Sequence, residues 1–518
     1  MSTATPFPVR RTPSFPAHPS WLVPGVVLLG ALLVRLAVSD RSLWLDETIS
    51  LIQIDRPLVD VITRQINGVH PPLFHVLLHG WVEAFGSSPL AMRSLSILWS
   101  LVAVAAVGAW SRQAFPHISA VPAATFAALA PFAVWYGTEI RMYSQLFALT
   151  AVAGWLAWSI MAGADHARRR LVGLGAVLVA IAYTHYFGTL FVASLGLVAL
   201  AVSIRRRELR RPALQVFGLS VLTAVALAPW LALVISQRSA EPLSTVFDDP
   251  NFFTGLIAGI EMLTGFRSYA LLGVVAAGWP LICLLAILLL PQLGVMKWRV
   301  AGLLTLVAGP PLGLIMISIF ADRSAFDSRY LTVCVAPLYV LSGWLWVRLV
   351  QPRLRPLVGS VMVAAAIALT IWQNNDPANP KLYELREAMQ TVNSLARPGD
   401  AVMIVPQVNE LGGKDPVINY YEPREGLRYV DTSPQGRAGV VPPEQMWDRM
   451  SRTKPERIFV LYGFDSLAYE TSDGELSTGD GLSASYDGFL DAKSRSLNRF
   501  DYANVSVQVY APRWKENG

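Results

Sequence analysis

The chain has 518 residues, 53% hydrophobic and only 15% charged, with a mean hydropathy of +0.43, which excludes an ordinary soluble domain. Its apolar residues fall in long runs, many near the roughly 20 residues an α-helix needs to cross a bilayer, so a polytopic α-helical membrane protein is predicted and an alternating β-barrel is not. The formal charge of +6 divides near Asp376: the C-terminal part has 16 bases against 21 acids, a balance of −5, and the remainder carries +11. The basic excess sits beside membrane spans, where topology explains it, and nucleic acid is excluded as a partner.

In chain order, residues 1–20 read as a cytoplasmic tail. Arg10-Arg11 is followed by Thr-Pro-Ser-Phe-Pro, so the first apolar run is read as a retained helix rather than a cleaved targeting segment. About eleven spans follow, at 21–39, 95–111, 119–136, 143–161, 171–183, 187–204, 213–235, 269–290, 300–320, 330–349 and 356–373. With the N-terminus inside, the inward segments hold 16 Lys and Arg, including Arg168 to Arg170 and Arg205 to Arg207, against Asp165 and Glu208 alone. This bias places the acidic C-terminal part outside. Both cysteines, Cys283 and Cys334, lie in apolar runs and form neither a disulfide framework nor a metal knuckle.

The first external loop, 40–94, contains Leu43-Trp44-Leu45-Asp46-Glu47 and then His70-Pro71-Pro72. The apolar stretch Leu73–Phe85 is too short to span and reads as a helix lying in the interface. Its His75, His79 and Glu83 recur every four positions, as expected for the wet face of such a helix; the same spacing also admits a metal. Asp46-Glu47 lies just beyond the outer end of the first span, where a carboxylate can take a proton from an acceptor hydroxyl.

The other external loops offer polar groups at the same level: Arg93, Glu139-Ile140-Arg141-Met142-Tyr143, His185-Tyr186, Arg267, Asp322-Arg323, and Asp327-Ser328-Arg329-Tyr330. Between the ends of the spans, ionisable residues are nearly absent; Arg35, close to the outer end of the first, is expected to snorkel outward. A transporter needs polar sites near the midplane. A bare midplane under a charged rim suits an enzyme that takes one substrate from the lipid phase and joins it to another at the water interface. Arginines at that rim imply an anionic partner, and a phosphate-bearing lipid supplies both anion and apolar tail.

The order of these motifs, from Leu-Trp-Leu-Asp-Glu through His-Pro-Pro-Leu, Met92-Arg93-Ser94-Leu95-Ser96, Glu-Ile-Arg-Met-Tyr and Tyr183-Thr184-His185-Tyr186-Phe187 to Ser328-Arg329-Tyr330-Leu331, resembles the GT-C membrane glycosyltransferases of the family 39 and 83 type. That group includes protein O-mannosyltransferases and the transferase that adds aminoarabinose to lipid A. The resemblance covers roughly residues 20–375. It implies a transmembrane catalytic domain at 21–375 and inverting sugar transfer from a polyprenyl-phosphate sugar, on the outer face of a bacterial inner membrane, to a lipid, glycan or protein hydroxyl.

In that scheme Asp46 is the general base and Glu47 orients it or the acceptor, while Arg93, Arg141 and Arg329, with His70 and His185, neutralise the donor phosphate. Glu139, Tyr143, Tyr186, Tyr330 and Phe252 are expected to contact substrate or acceptor. No cofactor or metal-ligand set is assigned, although the two carboxylates admit a divalent cation. A polymerase or ligase using the same carrier, and a lipid-linked-glycan transporter, are the rival readings.

The external loop 236–268, which holds Phe252 and Phe253, is expected to cover the route by which acceptor or lipid arrives. Residues 376–518 read as a small soluble external α/β domain, with helices at 382–396 and 443–451 and strands at 401–406, 457–462 and 505–511. The Gly-, Ser- and Asp-rich stretch 471–488 reads as a surface loop, and Gly412-Gly413 as a turn. Acceptor recognition or partner docking is expected of this domain rather than chemistry.

Overall fold

The computed structural model describes residues 22–514 apart from 67, 69, 116, 164–166, 238–277, 322–326, 378, 380, 406–419, 422–424, 431–440, 464–467 and 471–475. The expectations placed on Phe252, the loop 236–268 beyond Gln237, Arg267, Asp322-Arg323 and Gly412-Gly413 lie outside the described residues. The first part of the chain is helical: α1 (Leu22–Ala37), α2 (Leu45–Ile54), α3 (Leu58–Arg64), α4 (Leu73–Phe85), α5 (Pro89–Ala114), α6 (Ala120–Leu129), α7 (Pro131–Tyr136), α8 (Tyr143–Met161), α9 (Ala167–Thr184), α10 (Gly188–Arg205), α11 (Arg210–Gln237), α12 (Gly278–Leu289), α13 (Lys297–Ala321), α14 (Thr332–Leu349) and α15 (Arg355–Asn375). Among the described residues seven helices, α5, α8, α10, α11, α13, α14 and α15, are long and apolar enough to cross a membrane. The protein is a multi-pass membrane protein.

Helices α8 and α14 form the packed centre of the bundle, while α11 and α15 turn Leu222, Val225, Leu357 and Val361 outward, as a lipid-facing surface requires. Gly154 lets α8 approach α5, because a Cβ there would fall within 2.4 Å of the Trp110 ring.

The interval 119–136 is not one helix. Pro131 disfavours helical backbone at Ala130, which turns extended (φ −56°, ψ 124°) and separates α6 from α7. The carbonyls freed by this break, those of Ala128 (2.8 Å) and Ala127 (3.3 Å), are taken up by the Arg35 guanidinium, which also donates to the Ala133 carbonyl (3.4 Å) and, through Nε–H, to Ser100 (2.7 Å). Arg35 is fully buried. The expected snorkelling is therefore corrected: a local shortage of backbone donors holds this arginine inside the bundle.

The C-terminal part contains a five-stranded mixed sheet with strand order β2-β1-β3-β7-β6, formed by β1 (Ala401–Val405), β2 (Arg428–Tyr429), β3 (Ile458–Gly463), β6 (Ser494–Tyr502) and β7 (Val505–Pro512); β4 (Ala468–Glu470) and β5 (Leu476–Thr478) pair separately. Strand β3 runs parallel to β1 and antiparallel to β7, and its apolar run is buried on both faces. One face is covered by α16 (Leu385–Leu395), through Leu385, Met389 and Val392; the other by α17 (Pro443–Ser451) and α18 (Gly479–Lys493), through Met446, Met450, Tyr486 and Leu490. The described part of the stretch read as a loop is thus β5 and the start of α18. Tyr486 and Leu490, four residues apart, give α18 a buried face that its Gly and Ser content conceals.

This part is joined tightly to the first loop. Tyr421 Oη accepts the Leu43 N–H (2.7 Å) and lies 3.1 Å from Ser42 Oγ, Arg386 pairs with Asp40 (2.9 Å), Trp44 stacks on Tyr383, and Ile49 of α2 belongs to the same hydrophobic core as the sheet. Replacing Arg35 with leucine is expected to leave the carbonyls of the α6–α7 break unserved and to cost about 2–3 kcal/mol. Thermal unfolding of purified protein in detergent would reveal it as a lowered melting temperature.

Candidate functional site

The carboxylate pair lies in the first turn of α2, where unpaired backbone N–H groups and the helix dipole favour negative charge. The two side chains diverge. Glu47 Oε2 accepts the Trp44 N–H (3.3 Å) and an Arg93 NH2 hydrogen (2.8 Å); Oε1 accepts Arg93 Nε–H (3.2 Å) and the Ile140 N–H (3.0 Å). Arg93, from the first turns of α5, spends its remaining hydrogens on the carbonyls of Ser39, Arg41 and Ser42. Both side chains are sealed from solvent. All five guanidinium hydrogens are thereby used, so the phosphate contact expected of Arg93 is replaced by a bracing role, and Glu47 has the same one.

Asp46, one position earlier on the helix, points to another side and keeps 19% of its side chain exposed. Its Oδ2 lies 3.0 Å from Arg329 NH1 and 3.9 Å from Arg141 Nε. Arg141 comes from the short buried turn between α7 and α8; it also reaches Ser50 Oγ (3.2 Å) and His70 Nε2 (3.0 Å). Arg329 lies in the 3-10 turn Ser328–Leu331, capped by Asp327, whose Oδ1 accepts the Arg329 N–H (2.8 Å). Asp327 Oδ2 is 3.0 Å from Arg329 Nε, an ion pair in which that N–H is not aimed at the oxygen. Burial alone would raise the Asp327 carboxyl, but Arg329, with help from Lys381, holds it down at about 2. Arginines from two distant stretches thus converge on one carboxylate, and Ser50, His70 and Asp327 hold those arginines in turn. Ser50 was visible in the sequence as the helical neighbour of Asp46 four residues on; the Tyr421 clamp carries no local signal.

Beside the arginines lies an aromatic group. His70 and His185 have ring centroids 4.9 Å apart, His185 lies 5.3 Å from Tyr330 and 6.3 Å from Tyr143, and Tyr330 meets Phe187 edge-on. Burial, reinforced by neighbouring positive charge, holds both histidines neutral: His185 is lowered to about 3, with Arg141 and Arg329 as secondary causes, and His70 also falls well below its usual value through burial and then His185 and Arg141. Neutral rings offer a ligand hydrogen bonds rather than charge.

Tyr186 turns elsewhere. It accepts a hydrogen bond from Trp230 (3.0 Å) in a separate cluster against α11. His75, His79 and Glu83 also separate: His75 is buried, His79 Nδ1 lies 3.0 Å from the Ile54 carbonyl, and Glu83 is exposed. Among the described residues no group of three or more His, Cys, Asp or Glu side chains is arranged to hold a metal ion.

A helical membrane bundle with a carboxylate and arginines at one end, capped by an α/β domain, defines a class, and comparison with known proteins specifies it. The family described as dolichyl-phosphate-mannose-protein mannosyltransferase matches residues 69–232. ArnT from Cupriavidus metallidurans in the apo state aligns with a TM-score of 0.53 at 13% identity, over 94% of this chain and 97% of that one. The same protein bound to undecaprenyl phosphate gives 0.51 at 14% identity, over 95% and 98%. The Archaeoglobus fulgidus oligosaccharyltransferase in complex with zinc and sulfate gives 0.50 at 11% identity, over 92% and 79%. Comparison with curated proteins gives no match. The chain has a GT-C glycosyltransferase fold, similar to those of these proteins.

Glu139 adds a titratable element. It is buried, neither carboxylate oxygen is hydrogen-bonded among the described residues, and burial, opposed by Lys381 and aided by Glu47, raises it to about 7. An acid raised in the folded state binds its proton more tightly there than in the unfolded chain, so its contribution to stability declines as pH rises from the ordinary carboxylate range through about 7. Glu139→Gln is therefore expected to melt at a higher temperature than the parent at pH 8 and to converge with it near pH 4.5, as a series of melting curves in detergent would read directly.

Proposed function

We propose that this protein is an inverting glycosyltransferase that moves a sugar from a polyprenyl-phosphate donor to an acceptor hydroxyl on a lipid, glycan or protein. It works at the outer face of a bacterial inner membrane, with residues 21–375 forming the transmembrane catalytic domain and residues 376–518 an extracytoplasmic α/β domain. The arginine-rich segments between spans support this orientation. The reading rests chiefly on one observation: the Asp46 carboxylate, 19% exposed, is bracketed by Arg141 and Arg329, while Glu47 and Arg93 are sealed behind it.

In the proposed reaction the two guanidiniums exchange partners. Without substrate, Arg329 and Arg141 face Asp46; a donor phosphate draws them toward its own oxygens and frees the carboxylate to accept a hydrogen bond from the acceptor hydroxyl. The hydroxyl oxygen attacks the anomeric carbon as its proton passes to Asp46. The bond from that carbon to the phosphate oxygen breaks on the opposite side, and the polyprenyl phosphate leaves with its negative charge held by Arg141 and Arg329. Inversion follows from a single displacement. A lipid-linked-glycan transporter has less support, because ionisable residues in the described spanning helices are confined to their ends.

Asp46→Asn preserves size but removes the base, and transfer is expected to fall by about 10²- to 10⁴-fold. The assay supplies purified protein in lipid nanodiscs with radiolabelled undecaprenyl-phosphate sugars and a membrane extract as acceptor source. Undiminished transfer by the variant would remove Asp46 from the chemistry, and movement of lipid-linked sugar across vesicles without a transfer product would favour transport.

A further inference from the structure

The two histidines beside the arginines have defined tautomers. The Arg141 guanidinium can only donate, so His70 Nε2 accepts at 3.0 Å and the proton of the neutral ring sits on Nδ1. The Phe187 N–H donates to His185 Nδ1 at 3.1 Å, which puts the His185 proton on Nε2. His70 Nδ1 and His185 Nε2 are both buried, and among the described residues neither has a hydrogen-bond partner. A buried N–H without a partner is costly to the fold. Two of them on rings 4.9 Å apart, each oriented by a bond made through its other nitrogen, describe a donor pair awaiting an acceptor.

We propose that His70 and His185 form a neutral donor pair that recognises an oxygen substituent of the transferred sugar, separately from the arginine pair that holds the phosphate. This inference rests on the transferase reading above. Three features favour a sugar oxygen over a phosphate oxygen. Positive charge is already concentrated on Arg141 and Arg329, the groups that face Asp46. Arg141 spans from Asp46 to His70, so a donor whose phosphate lies at the arginines carries its sugar against the histidines. The His185 ring also lies against Tyr330, Phe187 and Tyr143, aromatic rings of the kind that accept the C–H face of a pyranose. A site built around buried donors discriminates strongly against a ligand that lacks the matching oxygen.

The test compares binding of bare undecaprenyl phosphate with binding of undecaprenyl phosphate carrying mannose or glucose, using full-length protein in nanodiscs. His185→Phe keeps the ring volume and removes the donor. It is expected to weaken the preferred sugar-bearing lipid about tenfold while leaving bare undecaprenyl phosphate within about threefold of the parent. His185→Gln, whose amide can still donate, should recover most of the loss, and His185→Leu provides a second donor-free variant if the phenylalanine form does not fold. Equal weakening of both lipids would assign the histidines to the phosphate and overturn the proposal, as would no weakening of either. Wild-type protein that binds undecaprenyl phosphate but gains nothing from either sugar also overturns it, whereas failure to bind undecaprenyl phosphate at all overturns the transferase reading itself.

Discussion

Glu47 and Arg93 are buried together, and burying two charges is expensive unless every donor and acceptor is used. Here they are: the carboxylate accepts four hydrogen bonds, and the guanidinium divides its hydrogens between that carboxylate and three backbone carbonyls of the segment entering α2. The pair therefore ties together the exit from α1, the first turn of α2, the start of α5 and the turn before α8. Removing either partner would leave a sealed charge uncompensated. The position of Asp46 depends on this arrangement, because its helix is held by the residue next to it.

That division of labour between adjacent carboxylates has a chemical consequence. A base must remain reachable by its substrate, whereas a brace must be unreachable by water, and one side chain cannot satisfy both demands. Asp46 retains exposure and faces two cations that have other attachments of their own: Ser50 and His70 for Arg141, Asp327 for Arg329. Those attachments keep the guanidiniums in place while their contact with Asp46 changes, so an incoming anion finds them already oriented.

The sequence reveals charge and position but not partnership, and the differences between expectation and structure follow from that. The long apolar intervals and three strands of the terminal sheet, β1, β3 and β7, can be read because burial imposes periods and lengths on the chain. The sequence puts Asp46, Arg141 and Arg329 at a common level at the ends of spans, but not their meeting at one carboxylate. Arg35 and Arg93 were misread for one reason: an arginine near a helix end looks alike whether it snorkels to water, meets a phosphate or serves backbone carbonyls left by a distant proline. Tyr186 shared a loop with His185, yet adjacent residues at a helix–helix turn diverge, and it joined Trp230 instead. In α18 the apolar signal was diluted by glycine and serine. In β6 it was absent, because an edge strand with its side chains largely exposed buries little.

The change of composition near residue 376 suggests a separate external domain, but the packing joins it to the end of the bundle that carries Asp46. Ile49 is one helical turn from Asp46, and its side chain lies in the core formed by α16 and the sheet. Tyr421 binds the backbone of Leu43, and Lys381 reaches Tyr136, just before the turn that carries Arg141. The acidic part of the chain thus forms one wall of the α2 helix, and the bundle forms the other. Two parts with opposite charge and different solvent preference meet where a lipid-borne donor and a water-borne or interfacial acceptor would also have to meet. The seam between them determines where the Asp46 carboxylate points.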